Sequence, residues 1–186
     1  MNRAGALQVI ASALGETDRV IVANGAMGRE FFAEKSNPRH LILVGSMGLA
    51  ASVGVGYAIQ RRDHRVLVLD GDGNLMMGLG GLLLAGTACP ANLLHLVLDN
   101  RQYATTGGQP TGSQKVDLAA MARAAGYAGA VSLDSPRRLL EELDQWTTES
   151  GPGFIRVVIE AGPAADAPRI PFTPPEMTAR FRGAKP

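Results

Sequence analysis

The stretch from Gly71 to Asn74 places a carboxylate and two glycines directly after the apolar, β-branched run that ends at Asp70. Glycines let the backbone turn sharply there, so that the amides of Gly73 and Asn74 and the start of a following helix point toward one spot, which suits a phosphate. The Asp72 carboxylate would repel a bare phosphate unless a divalent cation lay between them. Together these features predict a metal-bound diphosphate, and an all-oxygen site with few protein ligands favours Mg²⁺.

A second group of oxygen ligands follows the next apolar run, where residues 93–98 lead into Asp99-Asn100-Arg101-Gln102. One helix and one strand separate Asp72 from Asn100, which is enough chain to return beside its starting point in a parallel sheet. A glycine-aspartate-glycine turn alone is common in loops. A strand before it, a helix after it and an Asp-Asn pair at the next strand end favour a metal site.

Short apolar runs alternate with helical patterns along the chain. Most of the runs are apolar throughout and do not alternate with polar residues, which is typical of strands covered on both faces. They lie at residues 19–23, 41–44, 65–70, 93–99, 129–133 and 154–160. Helical patterns lie at residues 7–14, 29–35, 49–61, 75–87, 118–125 and 136–147. This alternation predicts an α/β fold, a doubly wound and mostly parallel sheet of about six strands with helices on both faces. Ligands are then expected at the carboxyl ends of the strands.

The composition changes near residue 162, after which prolines recur at positions 163, 168, 171, 174 and 175. We therefore expect one domain over residues 1–161 and a proline-rich, extended tail over residues 162–186, lying on this subunit or on a neighbour. Two of the predicted helices carry unusually many glycines and small residues, namely Gly48, Ser52 and Gly56 in the first and Gly78, Gly80, Gly81 and Gly86 in the second. Glycine is unfavourable inside a helix, so both helices are expected to pack closely against a ligand, a sheet or a partner; the alternative is tight packing between helices of this chain alone.

Charge and cysteine content exclude several classes of protein. The chain has 18 Lys and Arg against 17 Asp and Glu, a net charge of +1, which argues against a general electrostatic grip on nucleic acid or on an anionic membrane. Its single cysteine, Cys89, cannot form an internal disulfide. The apolar stretches are shorter than the roughly 20 residues of a membrane span, and no targeting segment is visible. We expect a cytoplasmic protein.

The Gly71-Asp72-Gly73 turn and the Asp99-Asn100 pair resemble the cofactor signature of the thiamine diphosphate-dependent 2-oxoacid decarboxylases and related carboligases. Asp99 stands where that family has an asparagine. The resemblance is to the diphosphate-binding, or PP, domain of these enzymes. It implies that Asp72, the Asn100 side chain and the Gln102 carbonyl bind Mg²⁺, and that Asn74 holds the diphosphate of thiamine diphosphate.

The resemblance extends to two loops upstream. Gly45-Ser46-Met47-Gly48 resembles the aminopyrimidine loop of the family, in which the Gly45 carbonyl accepts a hydrogen bond from the 4′-amino group and Met47 is an apolar wedge beneath the bent cofactor. Asn24-Gly25-Ala26 resembles, less specifically, the second loop on the diphosphate side. Ser46 and Tyr103 are expected to contact the cofactor as part of the same motifs.

The run from Tyr103 to Thr111 most resembles the sulfopyruvate and phosphonopyruvate decarboxylases. This likeness implies a small acidic 2-oxoacid as substrate, with an aldehyde and CO₂ as products. Thr105 and Thr106 would offer hydroxyls to the acidic group of the substrate, and Arg101 and Lys115 flank the run. The alternative is that this segment is only a solvated, glycine-rich loop.

One part of the family machinery is missing from the sequence. The family activates its cofactor with a glutamate on a separate pyrimidine-binding domain, and Glu16, Glu30 and Glu34 lie instead in or beside the first helices. The chain therefore resembles the β subunit of a split decarboxylase. By resemblance its partner is an α subunit that supplies the glutamate in an α₂β₂-type or larger hetero-oligomer.

Two other functions stay open, an acetolactate-synthase-like carboligase subunit and a non-catalytic cofactor-binding module. A dinucleotide-binding domain is disfavoured because residues 24–28 lack the Gly-x-Gly-x-x-Gly spacing. A serine hydrolase is disfavoured because Ser46 has no His-Asp partner pattern.

Overall fold

The computed structural model describes residues 1–146, 151–162 and 167–183. Its strands are β1 (Arg19–Val22), β2 (His40–Ile42), β3 (Val66–Gly71), β4 (Leu93–Asp99), β5 (Gln102–Tyr103), β6 (Gln109–Pro110), β7 (Gly129–Leu133) and β8 (Gly153–Val158). Its helices are α1 (Arg3–Ala13), α2 (Ala26–Glu34), α3 (Ala50–Gln60), α4 (Asp72–Met77), α5 (Leu79–Ala88), α6 (Leu118–Ala125), α7 (Pro136–Gln145) and α8 (Pro174–Gly183).

Six of the strands form one parallel sheet in the order β2-β1-β3-β4-β8-β7, which confirms the predicted fold class. Strands β1, β3 and β4 are almost entirely buried, as the continuous apolar runs indicated, whereas β8 is buried at three of its six residues. The predicted bounds of β4 and β7 agree with the structure, and the other four strands differ by a residue or two at their ends. The remaining pair, β5 and β6, is a short antiparallel hairpin beyond the end of β4.

Helices cover both faces of the sheet. Helix α1 contacts α2 and α7, whereas α5 contacts α3 and α6, so the two groups lie on opposite sides. Three of these helices have a side-chain N-cap. The side chains of Asn2, Asp117 and Ser135 accept hydrogen bonds from first-turn amides of α1, α6 and α7, respectively. Residue 147, the last position of the helix predicted at 136–147, lies outside the described residues.

The helix predicted over residues 75–87 is two helices, which corrects that prediction. Helix α4 begins at Asp72 and ends before Gly78, and a second helix, α5, begins at Leu79. The cause is tertiary, because a Cβ atom on Gly78 would overlap the backbone carbonyl of Gly48. Gly86 meets the backbone at Ala125 and Gly126 in the same way, whereas a Cβ atom on Gly80 would meet nothing within 4 Å.

The proline-rich segment is not extended throughout, which corrects a second prediction. Helix α8 occupies Pro174–Gly183 and buries Met177 and Phe181 against the domain. Residues 163–166 and 184–186 of the predicted tail lie outside the described residues. Among the residues that the structure describes, no helix is long and apolar enough to cross a membrane.

Candidate functional site

A pocket of about 130 Å³ opens at the carboxyl ends of β1, β3 and β4, which are neighbours in the sheet. Loops that follow adjacent parallel strands meet at one edge, so motifs distant in sequence converge there. Most of the predicted site residues line this pocket, namely Asn24, Gly25, Ala26, Met47, Gly71, Asp72, Gly73, Asn74, Asn100, Gln102, Tyr103 and Thr105.

Asp72 lies at the start of α4 and is only 3% exposed. Its Oδ2 atom accepts a hydrogen bond of 2.5 Å from the Thr111 hydroxyl, and the Ser113 hydroxyl lies 3.4 Å from the same oxygen. Burial raises the pKa of the Asp72 carboxyl to about 6; the hydrogen bond from Thr111 opposes this rise and the nearby Asp99 carboxylate adds to it. A buried carboxylate of this kind is stabilised in its charged form by a bound cation.

Asp99 and Asn100 are adjacent in sequence but have different surroundings. The Asp99 carboxylate is fully buried and bound by the Arg156 guanidinium, with Nε and Nη2 at 2.7 and 2.6 Å from Oδ2. The Ser113 hydroxyl donates to the other oxygen at 2.8 Å. Asn100 lines the pocket, whereas Asp99 does not. The structure therefore separates a pocket-lining amide from a carboxylate neutralised within the protein.

The backbone after β4 turns so that Asn100 and Gln102 both reach the pocket. Arg101 adopts a left-handed conformation with φ of 66°, and the Gln102 amide donates to Asn100 Oδ1 at 3.2 Å. Within the described residues, no cluster of three His, Cys, Asp or Glu side chains is placed to hold a metal. One carboxylate with amide and carbonyl oxygens is instead the donor set of a Mg²⁺ ion that takes its other ligands from phosphate and water.

The two ends of the Asn74 amide have different environments. Its Oδ1 atom accepts a hydrogen bond from the Gly48 amide, whereas Nδ2 is buried without a hydrogen-bond partner. A buried donor left unpaired is costly, so this nitrogen has the chemistry to receive a ligand oxygen. Gly73, beside it, lies under the Tyr103 ring, since a Cβ atom there would approach a ring carbon to 2.5 Å.

Three predicted residues lie outside the pocket. Gly45 and Ser46 have left-handed backbone conformations in the loop before Met47, and Gly45 lines an adjoining cavity that also includes Asn24 and Gly25. The Thr106 hydroxyl donates to the Gln109 side chain at 2.9 Å within the β5–β6 hairpin. The cofactor and substrate roles of these three residues stay predictions.

Several residues at the site were missed by the sequence reasoning. Thr111, Ser113 and Arg156 hold the two carboxylates, and Thr111 was noticed only as the end of a motif. Arg3 lines the pocket from α1, a helix that carries no motif. Nothing in the sequence pattern distinguished Arg3 from a surface residue.

The sequence and the fold are similar to those of known proteins. Residues 23–157 match the family described as thiamine pyrophosphate enzyme, C-terminal TPP binding domain, where thiamine pyrophosphate is another name for thiamine diphosphate. The chain is 39% identical over 167 residues to sulfopyruvate decarboxylase subunit beta of Methanothermobacter thermautotrophicus, covering 88% of this chain and 85% of that one. It is 37% identical over 180 residues to phosphonopyruvate decarboxylase of Streptomyces viridochromogenes, covering 97% of this chain but only 45% of that protein.

A solved structure shares the fold. The thiamine diphosphate-dependent 4-hydroxybenzoylformate decarboxylase of Rhodococcus jostii superposes with a TM-score of 0.75 at 15% identity, over 87% of this chain and 33% of that one. At this identity the likeness concerns the fold alone. The match over residues 23–157 and the identity to curated relatives over most of the chain lead to one conclusion: the protein belongs to the thiamine pyrophosphate enzyme family and carries its C-terminal TPP binding domain.

Proposed function

We propose that this chain is the diphosphate- and Mg²⁺-binding subunit of a split thiamine diphosphate-dependent decarboxylase that acts on a small acidic 2-oxoacid and releases an aldehyde and CO₂. The observation that carries the proposal is the convergence of Asp72, Asn74 and Asn100 on one pocket. The relatives support the reaction class, because those with 39% and 37% identity are named for sulfopyruvate and phosphonopyruvate decarboxylation.

The residues of the pocket divide the binding work. Asp72, the Asn100 side chain and the Gln102 carbonyl would hold Mg²⁺, and Asn74 Nδ2 would donate to a diphosphate oxygen. The cation would in turn stabilise Asp72 in its charged form despite the burial of that carboxylate. Thr111 positions the Asp72 carboxylate through its hydroxyl.

The residues nearer the reacting atoms orient the substrate and the cofactor. When bound, thiamine diphosphate supplies an electron sink for the carbanion left by loss of CO₂. The Gly45 carbonyl would accept a hydrogen bond from its 4′-amino group, and Met47 would pack beneath it. The Thr105 hydroxyl lines the same pocket and is available to a substrate oxygen.

A partner subunit is part of the proposal for two reasons. First, none of the described residues lining the pocket is a glutamate, and relatives at 39% and 32% identity are named as β subunits. Second, an apolar surface lies at the edge of the pocket, formed by Met47, Leu49 and Met77, which are 40%, 49% and 60% exposed around the Gly48–Gly78 contact. Exposed apolar surface of this kind is typical of a protein interface. We expect a pyrimidine-domain α subunit in an α₂β₂-type assembly.

The test begins with this chain expressed alone and verified as folded. We expect calorimetry to detect Mg²⁺-dependent binding of thiamine diphosphate, while CO₂ release from sulfopyruvate, phosphonopyruvate and pyruvate stays at background. Adding a pyrimidine-domain subunit should restore turnover, with aldehyde as product. Robust turnover by the isolated chain would contradict the split-enzyme proposal, and a C–C coupled product in place of aldehyde would identify a carboligase.

A further inference from the structure

Under the proposed function, on which this inference rests, the substrate carries an acidic group that the pocket must recognise. A diphosphate carries more negative charge than one divalent cation neutralises, and the Asp72 carboxylate adds to it. A substrate with its own acidic group therefore enters a pocket of unfavourable potential unless a cation lies nearby. The question is which side chain of this chain provides that cation.

The two basic residues suggested by sequence do not line the cofactor pocket. Arg101 and Lys115 line a separate cavity behind the loop, together with Ser113, Gln114, Val116, Asp117 and Arg156. Among the described residues that line the cofactor pocket, Arg3 alone is a lysine or arginine, and it shares that lining with Thr105. The basic side chain at the pocket is therefore Arg3, to which no sequence motif pointed.

Arg3 is held in a fixed orientation by Glu30. The Arg3 Nε and Nη2 atoms each lie 2.7 Å from a different oxygen of the Glu30 carboxylate. The two side chains are 14% and 9% exposed, so the pair is mostly shielded from water. Because a guanidinium is planar, binding one edge of it to a carboxylate fixes the direction of the whole group. Glu30 itself does not line the pocket, so the pocket is lined by the cation and not by its counter-charge.

The backbone that carries Arg3 is also anchored. The Asn2 side chain caps α1 by accepting a hydrogen bond of 2.8 Å from the Gly5 amide. The Glu160 amide, just beyond β8, donates to the Met1 carbonyl at 2.9 Å. Glu30 lies on α2, the helix that begins beside the Asn24–Gly25 loop. Arg3 is therefore supported from three elements that surround the pocket, as a preorganised binding group requires.

We infer that Arg3, oriented by Glu30, determines substrate specificity by binding the sulfonate, phosphonate or equivalent acidic group of the 2-oxoacid. A planar guanidinium suits such multi-oxygen anions better than a point charge does. Discrimination against 2-oxoacids with an uncharged tail follows, because only the acidic substrate gains this ion pair.

The experiment compares Arg3→Gln with Lys115→Gln, whose side chain lines the separate cavity. Tagged chain purified with its natural partner is assayed on sulfopyruvate and on pyruvate. We expect Arg3→Gln to lower kcat/KM for sulfopyruvate about 30-fold or more, mainly through KM, and to change that for pyruvate less than about threefold. Arg3→Lys keeps the positive charge but lacks the planar guanidinium, so its kcat/KM for sulfopyruvate should lie between the values of the wild type and Arg3→Gln. Lys115→Gln should change neither value, and calorimetric affinity for thiamine diphosphate with Mg²⁺ should be unaffected in every variant.

Three results would overturn the inference: equal losses on both substrates in Arg3→Gln, weaker cofactor binding in that variant, or a sulfopyruvate-specific loss in Lys115→Gln. If Arg3→Gln fails to fold, Arg3→Lys and Glu30→Gln carry the same comparison. Absence of turnover by the wild-type complex would reject the proposed function instead. The inference is then decided by calorimetry with 3-sulfopropanoate against propanoate, since both lack the reacting keto group. Wild-type preference for the sulfonate that Arg3→Gln abolishes supports it, and an equal preference in both proteins refutes it.

Discussion

The Asn74 side chain accepts a hydrogen bond from the backbone amide of Gly48 and so joins the turn after β3 to the loop after β2. The carbonyl oxygen of the amide fixes protein structure, while its buried nitrogen has no hydrogen-bond partner. One side chain therefore has an end that fixes the structure and, under the proposed function, an end that binds the diphosphate. Substitutions can separate the two.

We expect Asn74→Asp to keep the acceptor for Gly48 but to replace the donor with a charged oxygen. Thiamine diphosphate affinity should fall about tenfold or more, with little change in melting temperature, because the lost interaction faces the diphosphate. Asn74→Ala should lower both. Calorimetry and thermal unfolding measure the two effects, and unchanged affinity in Asn74→Asp would place the diphosphate elsewhere.

Asp72→Asn and Asn100→Ala should each abolish Mg²⁺-dependent cofactor binding, with losses of about 100-fold or more, because the first removes the negative charge of the carboxylate ligand and the second removes an oxygen ligand. The matched control is Asp134→Asn, since Asp134 is an exposed carboxylate that follows the edge strand β7. Titrations at fixed Mg²⁺ give the affinities. Wild-type affinity in either site variant would contradict a metal bridge between that residue and the diphosphate.

Alanine substitutions at Gly78 and Gly80 should have opposite effects on the free energy of unfolding, because Gly78 contacts the Gly48 backbone and Gly80 does not. Gly78→Ala should lower the free energy of unfolding by about 1–3 kcal/mol, because its methyl group would overlap the Gly48 carbonyl. Gly80→Ala should raise it by about 0.5–1 kcal/mol, since a Cβ atom there meets nothing within 4 Å and alanine favours the helix. Urea unfolding of the two variants measures both signs; a neutral Gly78→Ala would mean that the loop moves freely.

His40 predicts a loss of stability in mild acid. Burial lowers the pKa of this histidine to about 4; a hydrogen bond with the Lys35 carbonyl opposes the shift, and nearby Lys35, Arg180 and Arg39 add to it. In the unfolded chain His40 binds a proton as the pH falls through about 6.5, whereas in the folded protein it stays neutral until the pH approaches 4. Folding stability is therefore fully present above pH 6.5 and falls as pH drops toward 4, by up to about 3 kcal/mol.

The check is the pH dependence of unfolding in wild type and in His40→Gln, which leaves no imidazole to titrate. Between pH 7 and 4.5 the variant should lose less stability than the wild type. Parallel curves would show that His40 is protonated in both states or in neither.

Most of the candidate site residues line one pocket because their motifs lie at strand ends, where topology alone brings them together. The runs at β4 and β7 are bounded by clear turn signals, so even their limits were predictable. The break at Gly78 was not, because its cause is the Gly48 backbone on another loop. Arg3 was missed for a similar reason, since only packing of α1 against α2 brings it to the pocket.

The sequence at the start of α8 contains a helix N-terminal motif, although the many prolines of this segment favour an extended chain. The Glu176 side chain accepts from the Thr173 amide at 2.8 Å, so Thr173 and Glu176 form the spacing of a capping box. Pro174 lies at the first position of α8, where a missing amide hydrogen costs nothing. The same prolines that suggested an extended tail are compatible with the start of a helix.

The position of α8 also bears on aggregation. Strand β2 is hydrogen-bonded on one side only, to β1, and α8 packs beside it. The Arg180 guanidinium lies over the Phe32 and Phe172 rings and donates to the Asn37 carbonyl at 3.0 Å, which fixes the helix against the segment leading into β2. An uncovered edge strand is a template for pairing with another chain. Loss of α8 should therefore first cause intermolecular β-association along β2, although the residues of the cofactor pocket are unchanged.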